Sequence, residues 1–139
     1  MDDTQKIGNQ ISESQKLIVD SLNDISTYID DNLQVPRASA SFTEILTVYG
    51  QAVNKKSEIN CKLSRLYRLK VGIRHLRVVM NNSQVIPALI GKFKAQIEAM
   101  NTDVCDAISS LEYLKDKYSD IIWYCSCANK SYNNMFSDN

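Results

Sequence analysis

Four cysteines and one histidine are the side chains of this 139-residue chain that could bind a metal ion or act as nucleophiles. Cys125 and Cys127 are separated by one residue, which does not match the spacing of a zinc knuckle. Cys61, His75 and Cys105 lie far from this pair in sequence. The chain also has no HExxH pair, no serine elbow and no glycine-rich phosphate loop. We expect reduced cysteines, no metal or other cofactor, and no enzymatic activity.

Cations at apolar positions of a helix are a second set of candidate functional residues. From Phe42 to Met80 the chain follows an alternating three-four spacing, and three of its twelve positions are Lys56, Lys70 and Arg77. A buried cation costs stability unless a carboxylate faces it, so such residues select partner and register. Two parallel copies would oppose like charges, so we expect a hetero-oligomer whose acids meet these cations. The alternative is that their long stems reach solvent from a loose seam.

A basic belt surrounds these positions. Residues 55–77 contain eight lysines and arginines and one glutamate, whereas residues 1–36 contain seven acids and two lysines. In a hairpin that turns at Pro36, residue i would face roughly residue 73 − i, so only Asp2, Asp3 and Glu13 would reach the belt. Most of the belt would stay unpaired. We expect an acidic protein subunit to bind it, with nucleic acid or an anionic membrane as the alternative.

Long helices must position these residues. From residue 86 to 135 every position of an alternating four-three spacing is apolar: Ile86, Ile90, Phe93, Ile97, Met100, Val104, Ala107, Leu111, Leu114, Tyr118, Ile121, Cys125, Ala128, Tyr132 and Met135. A 3.5-residue repeat aligns side chains along one side of a helix, and this seam is stable when another helix packs on it. We expect helices of other chains to contact seven of these residues: Ile90, Ile97, Val104, Leu111, Leu114, Tyr118 and Ile121.

Apolar residues beside this seam widen its stripe. Leu89, Ile108 and Ile122 flank the seam, which favours a bundle of three or four helices over a two-stranded coil. Trp123 lies roughly opposite the seam, where nothing within the chain obviously covers it. We therefore expect Trp123 and Tyr124 to contact a partner; the alternative is ordinary packing by the first helix.

Turn signals divide the chain into four segments. The acidic segment 1–36 contains an amphipathic helix over 4–33, and Pro36 ends it. Ser41 and Glu44 form a capping box at the start of a long basic helix within 37–82. A second long helix follows within 83–128. The last segment, 129–139, is poor in helix formers and is predicted to fray.

The heptad register slips between the two long helices. Continuing the spacing of the first would place Pro87 rather than Ile86 at the next apolar position after Gln84, and the slip coincides with residues 81–83. A turn that folds the last helix back explains the slip, and we expect this arrangement. A continuous helix with a stutter or kink near Pro87 is the alternative.

Composition supports long helices and a partnered state. Only four glycines and two prolines interrupt the chain, and hydrophobic residues make up 44% of it. A net charge of zero gives little electrostatic protection against association. The acidic amino terminus does not resemble a secretory signal, and no apolar run approaches the roughly 20 residues that span a bilayer. We expect a cytoplasmic protein without a membrane-spanning helix.

Part of the last helix resembles a known coiled-coil region. The run from Ile86 to Ile90, Ile-Pro-Ala-Leu-Ile, is followed by Ile97, Met100 and the step Leu-Glu-Tyr-Leu over 111–114. This pattern resembles the dysbindin family over about a fifth of the chain. The resemblance implies a subunit of the biogenesis-of-lysosome-related-organelles complex, a cytosolic assembly of small helical proteins that acts in endosomal cargo sorting.

These observations predict an all-α protein: an elongated helical hairpin or coiled coil of two to three long helices. We expect a non-enzymatic scaffold or adaptor subunit that co-assembles with other helical chains through its heptad seams, in endosomal or lysosome-related organelle trafficking and peripheral to endosomal membranes. Two alternatives remain open. One is a protein that binds nucleic acid or anionic membrane through residues 55–77, and the other is a self-contained helical bundle of a viral or regulatory protein.

Overall fold

The computed structural model describes residues 3–29 and 31–136, with the backbone alone over 132–136. In this part of the chain there are three α-helices and no strand: α1 (Thr4–Ile29), α2 (Phe42–Asn81) and α3 (Pro87–Phe136). The prediction of an all-α protein built from long helices is therefore confirmed. At 1.5 Å per residue, the 50 residues of α3 span about 75 Å.

The boundaries of α2 follow from the signals in the sequence. At its start the Ser41 hydroxyl accepts a hydrogen bond from the Glu44 amide at 3.2 Å, as the capping box predicts. At its end the carbonyls of Val78 and Val79 accept from the backbone amide of Asn82, and they accept further hydrogen bonds from the side chains of Asn82 and Ser83. α2 and α3 are thus separated by a turn, as expected, and the continuous helix is excluded.

The other boundaries differ from the expected ones at both ends of the chain. α1 ends at Ile29, four residues before the predicted end, and an extended connection leads from there to α2. α3 begins at Pro87, where a proline costs no hydrogen bond. Its helical backbone continues to Phe136, eight residues beyond the predicted boundary at 128.

Neighbouring helices are antiparallel. Tyr28 and Asp24 of α1 bond to Glu58 and Lys62 of α2, so residue numbers rise along one helix as they fall along the other. The same relation holds between α2 and α3, where Arg77 pairs with Glu98 and Tyr67 with Glu112. α1 and α3 are therefore parallel, and α1 lies on one face of the α2–α3 pair.

The start of α1 is bonded to the turn between the other two helices. The Asp3 amide donates to the Gln84 carbonyl at 2.7 Å, and the Gln84 amide donates to the Asp3 carboxylate at 3.2 Å. One residue further, the Thr4 hydroxyl accepts from the Ile86 amide at 2.9 Å. These bonds hold the amino-terminal end of α1 against the turn.

One continuous core runs between the three helices. Its α3 residues are members of the apolar seam: Phe93, Ile97, Met100, Val104, Ala107, Leu111, Leu114, Tyr118, Ile121 and Cys125, joined by Ile108. Residues of α1 and α2 cover them, among them Ile11, Ile18, Ile59 and Leu66. We expected other chains to cover this seam. The cover comes instead from the same chain, because the turn at 82–86 returns α3 along α2.

The register of α1 against α2 corrects the predicted hairpin. The observed pairs place residue i of α1 opposite roughly residue 86 − i, since Asp24 meets Lys62 and Tyr28 meets Glu58. The connection does not turn sharply at Pro36. It carries the chain from the level of Lys55, which pairs with Asp31, to the start of α2 at Phe42, and this run along the bundle moves the register. Asp24 and Asp31 therefore pair with cations of the belt, whereas Glu13, which this register sets opposite roughly residue 73, makes no ion pair in the described residues. Asp3 bonds to the turn, and Asp2 lies outside the described residues.

The molecule has two sections along its length. α1 ends beside Leu114 and Lys117 of α3, so a three-helix section becomes a two-helix end formed by the start of α2 and the end of α3. The strap, defined as residues 31–41, continues from α1 over this end, and its residues Leu33 and Ala40 pack on the core. Among the described residues, the helices lack a stretch that is both long and apolar enough to traverse a bilayer.

Candidate interaction surface

The predicted partner contacts on the α3 seam lie inside the bundle. Six of them are fully or almost fully buried by the chain itself: Ile97, Val104, Leu111, Leu114, Tyr118 and Ile121. Ile90, near the start of α3, is half-buried. A side chain enclosed by its own chain cannot contact a partner in this conformation, so the surface available for binding lies elsewhere.

The three seam cations have different surroundings. Arg77 donates from Nη2 to Oε1 of Glu98 on α3 at 2.7 Å, so this cation finds its acid within the chain. Lys56 and Lys70 occupy the same heptad position as Arg77 and are half-buried. In the described part of the chain neither lysine has a hydrogen bond or ion pair. The expectation that acids of a partner chain pair with the seam cations therefore stays a prediction for Lys56 and Lys70, and not for Arg77.

Other cations of the belt meet acids on the side of α1. Lys62 Nζ lies 2.5 Å from Oδ2 of Asp24, and Arg65 Nη1 lies 3.5 Å from the same oxygen. The hydrogen bond from Lys62 is the main reason why the pKa of Asp24 lies below its ordinary value. Lys62 also lies over the ring of Tyr28, 5.3 Å from its centroid. The belt is therefore partly neutralised within the chain.

A cluster around Asp31 fastens the strap to the bundle. The buried Tyr118 donates its hydroxyl hydrogen to the Asp31 carboxylate, Lys55 Nζ lies 3.2 Å from that carboxylate, and the Leu33 amide donates to it at 3.2 Å. Burial alone would raise the pKa of Asp31, but these donors outweigh burial and lower it. Burial and the nearby carboxylate raise the pKa of Tyr118 well above its ordinary value.

We define the open face as the face of the α2–α3 pair opposite α1. Tyr67 lies about 140° around α2 from Lys62, at 100° per residue, and its hydroxyl donates to the Glu112 carboxylate of α3. Glu98, which pairs with Arg77, is two heptads from Glu112 and lies on the same side of α3. These two pairs mark the open face.

Exposed apolar side chains gather on the open face of the two-helix end. A groove of about 450 Å³ lies there between α2 and α3, with Leu46 and Tyr49 on one side and Ser126 on the other. Val53 follows Tyr49 by one helical turn. The antiparallel register places Trp123 of α3, which is 70% exposed, at the same level along the bundle as Val53. We name the side chains of Leu46, Tyr49, Val53 and Trp123 the distal surface. Tyr124, the other predicted contact, is half-buried and packs against the core.

The residues considered for metal binding or catalysis are not brought together. Cys61 and Cys127 are exposed, Cys105 is half-buried and Cys125 is buried, all as free thiols. Burial raises the pKa of the Cys125 thiol, which disfavours the nucleophilic thiolate. Among the described residues no three His, Cys, Asp or Glu side chains form a group that could hold a metal ion. The absence of enzymatic activity stays a prediction.

Comparison of the chain with protein families, curated proteins and solved structures gave no match. The resemblance to dysbindin therefore rests on residues 86–114 alone, and the roles it implies remain expectations.

Three residues of the distal surface were missed as contacts by the sequence reasoning. Leu46 and Val53 fall outside the α2 seam, and Tyr49 belongs to it although it is more than one-third exposed. Their spacing of three and four residues was the available signal, because it places all three on one side of α2. That signal becomes informative only with the register of α3, which sets Val53 at the level of Trp123, and Tyr49 and Leu46 about one and two helical turns further toward the end of the bundle.

Proposed function

We propose that the protein is a non-enzymatic scaffold or adaptor subunit that binds a helical protein through its distal surface. The observation that carries this proposal is that Trp123 is highly exposed at about the level of the exposed Val53, two residues from Cys125, which lines the groove between α2 and α3. Tryptophan is enriched among the residues that dominate binding energy, and water-exposed apolar groups that adjoin one another are typical of interaction sites. The seven heptad positions of α3 expected to bind partners serve instead to build the support for this surface.

The finer features of the predicted fold belong to this proposal. The strict three-four spacing and the length of α3 support an elongated α2–α3 coiled coil, with α1 packed along part of it. Assembly with other helical chains in the cytoplasm, and a role in endosomal or lysosome-related organelle trafficking, are supported by the resemblance of residues 86–114 to dysbindin.

Substitution of Trp123 by Ala tests the proposal. We expect W123A to reduce recovery of a binding protein by about tenfold in a quantitative pull-down, with unchanged helical circular dichroism, because the side chain has little to pack against within its own chain. Tyr113 supplies a matched control, since it is another highly exposed aromatic residue of α3 but lies beside the three-helix section. Y113A should retain the bound protein. Equal recovery with W123A and wild type would refute the proposal.

A self-contained helical bundle, of a viral or regulatory protein, is the second candidate. The burial of the α3 seam by the chain's own helices favours it, because a single copy then needs no partner to cover this seam. Sedimentation velocity separates the two candidates. A monomer that binds no protein through Trp123 supports the self-contained bundle, whereas a specific complex that W123A weakens supports the scaffold.

A further inference from the structure

The open face carries three cations of α2 between residues 56 and 74, over about 27 Å of this 40-residue helix. Lys56 and Lys70 are half-buried at its edge, and the exposed Arg74 follows Lys70 by one helical turn. In the part of the chain that the structure describes, none of the three has an acidic partner. Arg77 occupies the same heptad position as Lys70 and is paired with Glu98. This pair shows that a cation at this position can bind a facing carboxylate.

The face toward α1 shows how this chain binds an acidic helix. There Lys62 and Arg65 pair with Asp24 of α1, and Lys55 pairs with Asp31 at the start of the strap. The apolar side of α1 packs on the core on the same face, through residues such as Ile18 and Ile25. An amphipathic helix with acids beside its apolar stripe is thus already accommodated once by the α2–α3 pair.

The open face has the corresponding parts for a second such helix. Lys56 and Lys70 are half-buried beside the apolar seam, where a carboxylate of a second helix would form an ion pair with each. The distal surface supplies the apolar component at one end, beside Lys56. Lys56 and Lys70 are fourteen residues apart in sequence, or about 21 Å along α2.

We infer that the partner's binding segment is an acidic amphipathic helix that lies along the open face and completes a four-helix arrangement with α1, α2 and α3. This inference rests on the proposed function, since it names the chemistry of the protein bound there. The segment carries two acids spaced two heptads apart that meet Lys56 and Lys70, and a third that meets Arg74. Its apolar stripe covers Trp123 and Val53.

The charges of α3 favour this occupant over nucleic acid. Glu98, Glu112 and Asp116 lie on or beside the open face, between or opposite the cations of α2. A phosphate backbone following the face would approach these carboxylates as closely as the lysines, whereas a helix can place its acids only where cations lie.

The test uses a synthetic peptide of about four heptads, with leucines in three-four spacing and glutamates on both flanks. A second peptide has lysine at every glutamate position. The proteins are wild type, the charge-reversed K56E/K70E/R74E, and the control K6E/K16E/K92E. The control has the same change in net charge at three exposed lysines that make no ion pair within the described residues.

In fluorescence anisotropy at about 150 mM salt, the glutamate peptide should bind wild type about tenfold more tightly than K56E/K70E/R74E. The lysine peptide should show the reverse preference, and K6E/K16E/K92E should match wild type within about twofold. The inference is overturned if the glutamate peptide does not bind wild type, if the two triple variants behave alike, or if a duplex oligonucleotide binds wild type more tightly than this peptide does.

The pull-down with W123A separates failure of this inference from failure of the proposed function. If W123A loses the bound protein and K56E/K70E/R74E keeps it, the scaffold function stands and the acidic helix is refuted. If both variants keep the protein, both proposals are refuted. Loss with both variants, but not with K6E/K16E/K92E, supports both.

Discussion

The two faces of the α2–α3 pair carry similar cations in different surroundings. Toward α1, Lys62 and Arg65 meet Asp24, and Lys55 meets Asp31. On the open face, Lys56 and Lys70 meet no acid in the described residues, although their neighbour in the same heptad position is paired. The difference shows that acids of α1 and the strap neutralise one side of the belt, while the lysines on the other side have no acidic partner among the described residues.

Apolar burial differs between the faces in the same way. α1 buries its own residues Ile7, Ile11 and Ile18 against the α2–α3 pair. By contrast, Val71 of α2 and Trp123 of α3 are largely exposed to water. Burial of an aliphatic side chain contributes about 1.5–3 kcal/mol, so most of the stability from this source comes from the covered face. The open face is left with surface that contributes little to folding.

The largest expected effect is on the covered face. Ile18→Ala removes a buried side chain of α1 and leaves a cavity, so the free energy of unfolding should fall by about 2–5 kcal/mol in urea denaturation. Val71→Ala is the matched change at an exposed position of α2 and should alter stability by less than about 0.5 kcal/mol. Equal effects of the two substitutions would show that α1 does not cover the pair as described.

A second prediction concerns the cluster that fastens the strap. Tyr118→Phe removes the hydrogen bond to the Asp31 carboxylate, and the free energy of unfolding should fall by about 1.5–3 kcal/mol. Tyr124→Phe is the control, since the Tyr124 hydroxyl makes no hydrogen bond in the described residues. A similar loss with both variants would show that the Asp31 contact is unimportant.

The same cluster predicts how stability depends on pH. The folded-state pKa of Tyr118 is raised, and the hydrogen bond to Glu58 raises that of Tyr28 to about 12. The contribution of these two tyrosines to the free energy of unfolding is complete below their unfolded-state pKa of about 10. It is lost as the pH rises through their folded-state pKa values. The lowered pKa of Asp31 has the opposite sign, so its contribution is lost as the pH falls below about 4. Urea denaturation between pH 9 and 12 should show a shallower decline for Tyr118→Phe than for wild type.

The smallest expected effect is that of the exposed ion pair on the covered face. Asp24→Asn should lower the free energy of unfolding by about 0.2–1 kcal/mol at low salt, and the difference should shrink at high salt. Asp20→Asn, at an exposed position without a partner in the described residues, should leave stability unchanged. A salt-independent loss with Asp24→Asn would mean that packing of α1, rather than charge, pairs this helix with the belt.

Local signals in the sequence were accurate where a single helix decides the outcome. The capping box of Ser41 and Glu44 marks the start of α2, and the register slip before Pro87 marks the turn, because both depend on residues within a few positions of one another. The burial of Leu111 and Tyr118 also follows from their spacing alone. Their role as partner contacts did not follow, since spacing identifies an apolar seam without identifying which helix covers it.

The position of α1 could not be obtained by counting from Pro36. The strap carries the chain along the bundle from the level of Lys55, which pairs with Asp31, to the start of α2 at Phe42, and this run moves the pairing from roughly 73 − i to roughly 86 − i. Asp24 is thereby brought to Lys62, and Asp3 is moved from the belt to the turn. A loop with no periodic pattern carries no signal of the register it imposes.

The sequence by itself determined that this protein is three long helices with apolar seams and a basic middle helix, because helical periodicity and capping depend on neighbours along the chain. Only the tertiary structure decided that the seams cover one another, that Asp24 and Asp31 neutralise one side of the belt, and that Lys56, Lys70 and Trp123 remain available on the other. These outcomes depend on the packing of helices distant in sequence, which is set by the summed burial of all three and by the path of the strap.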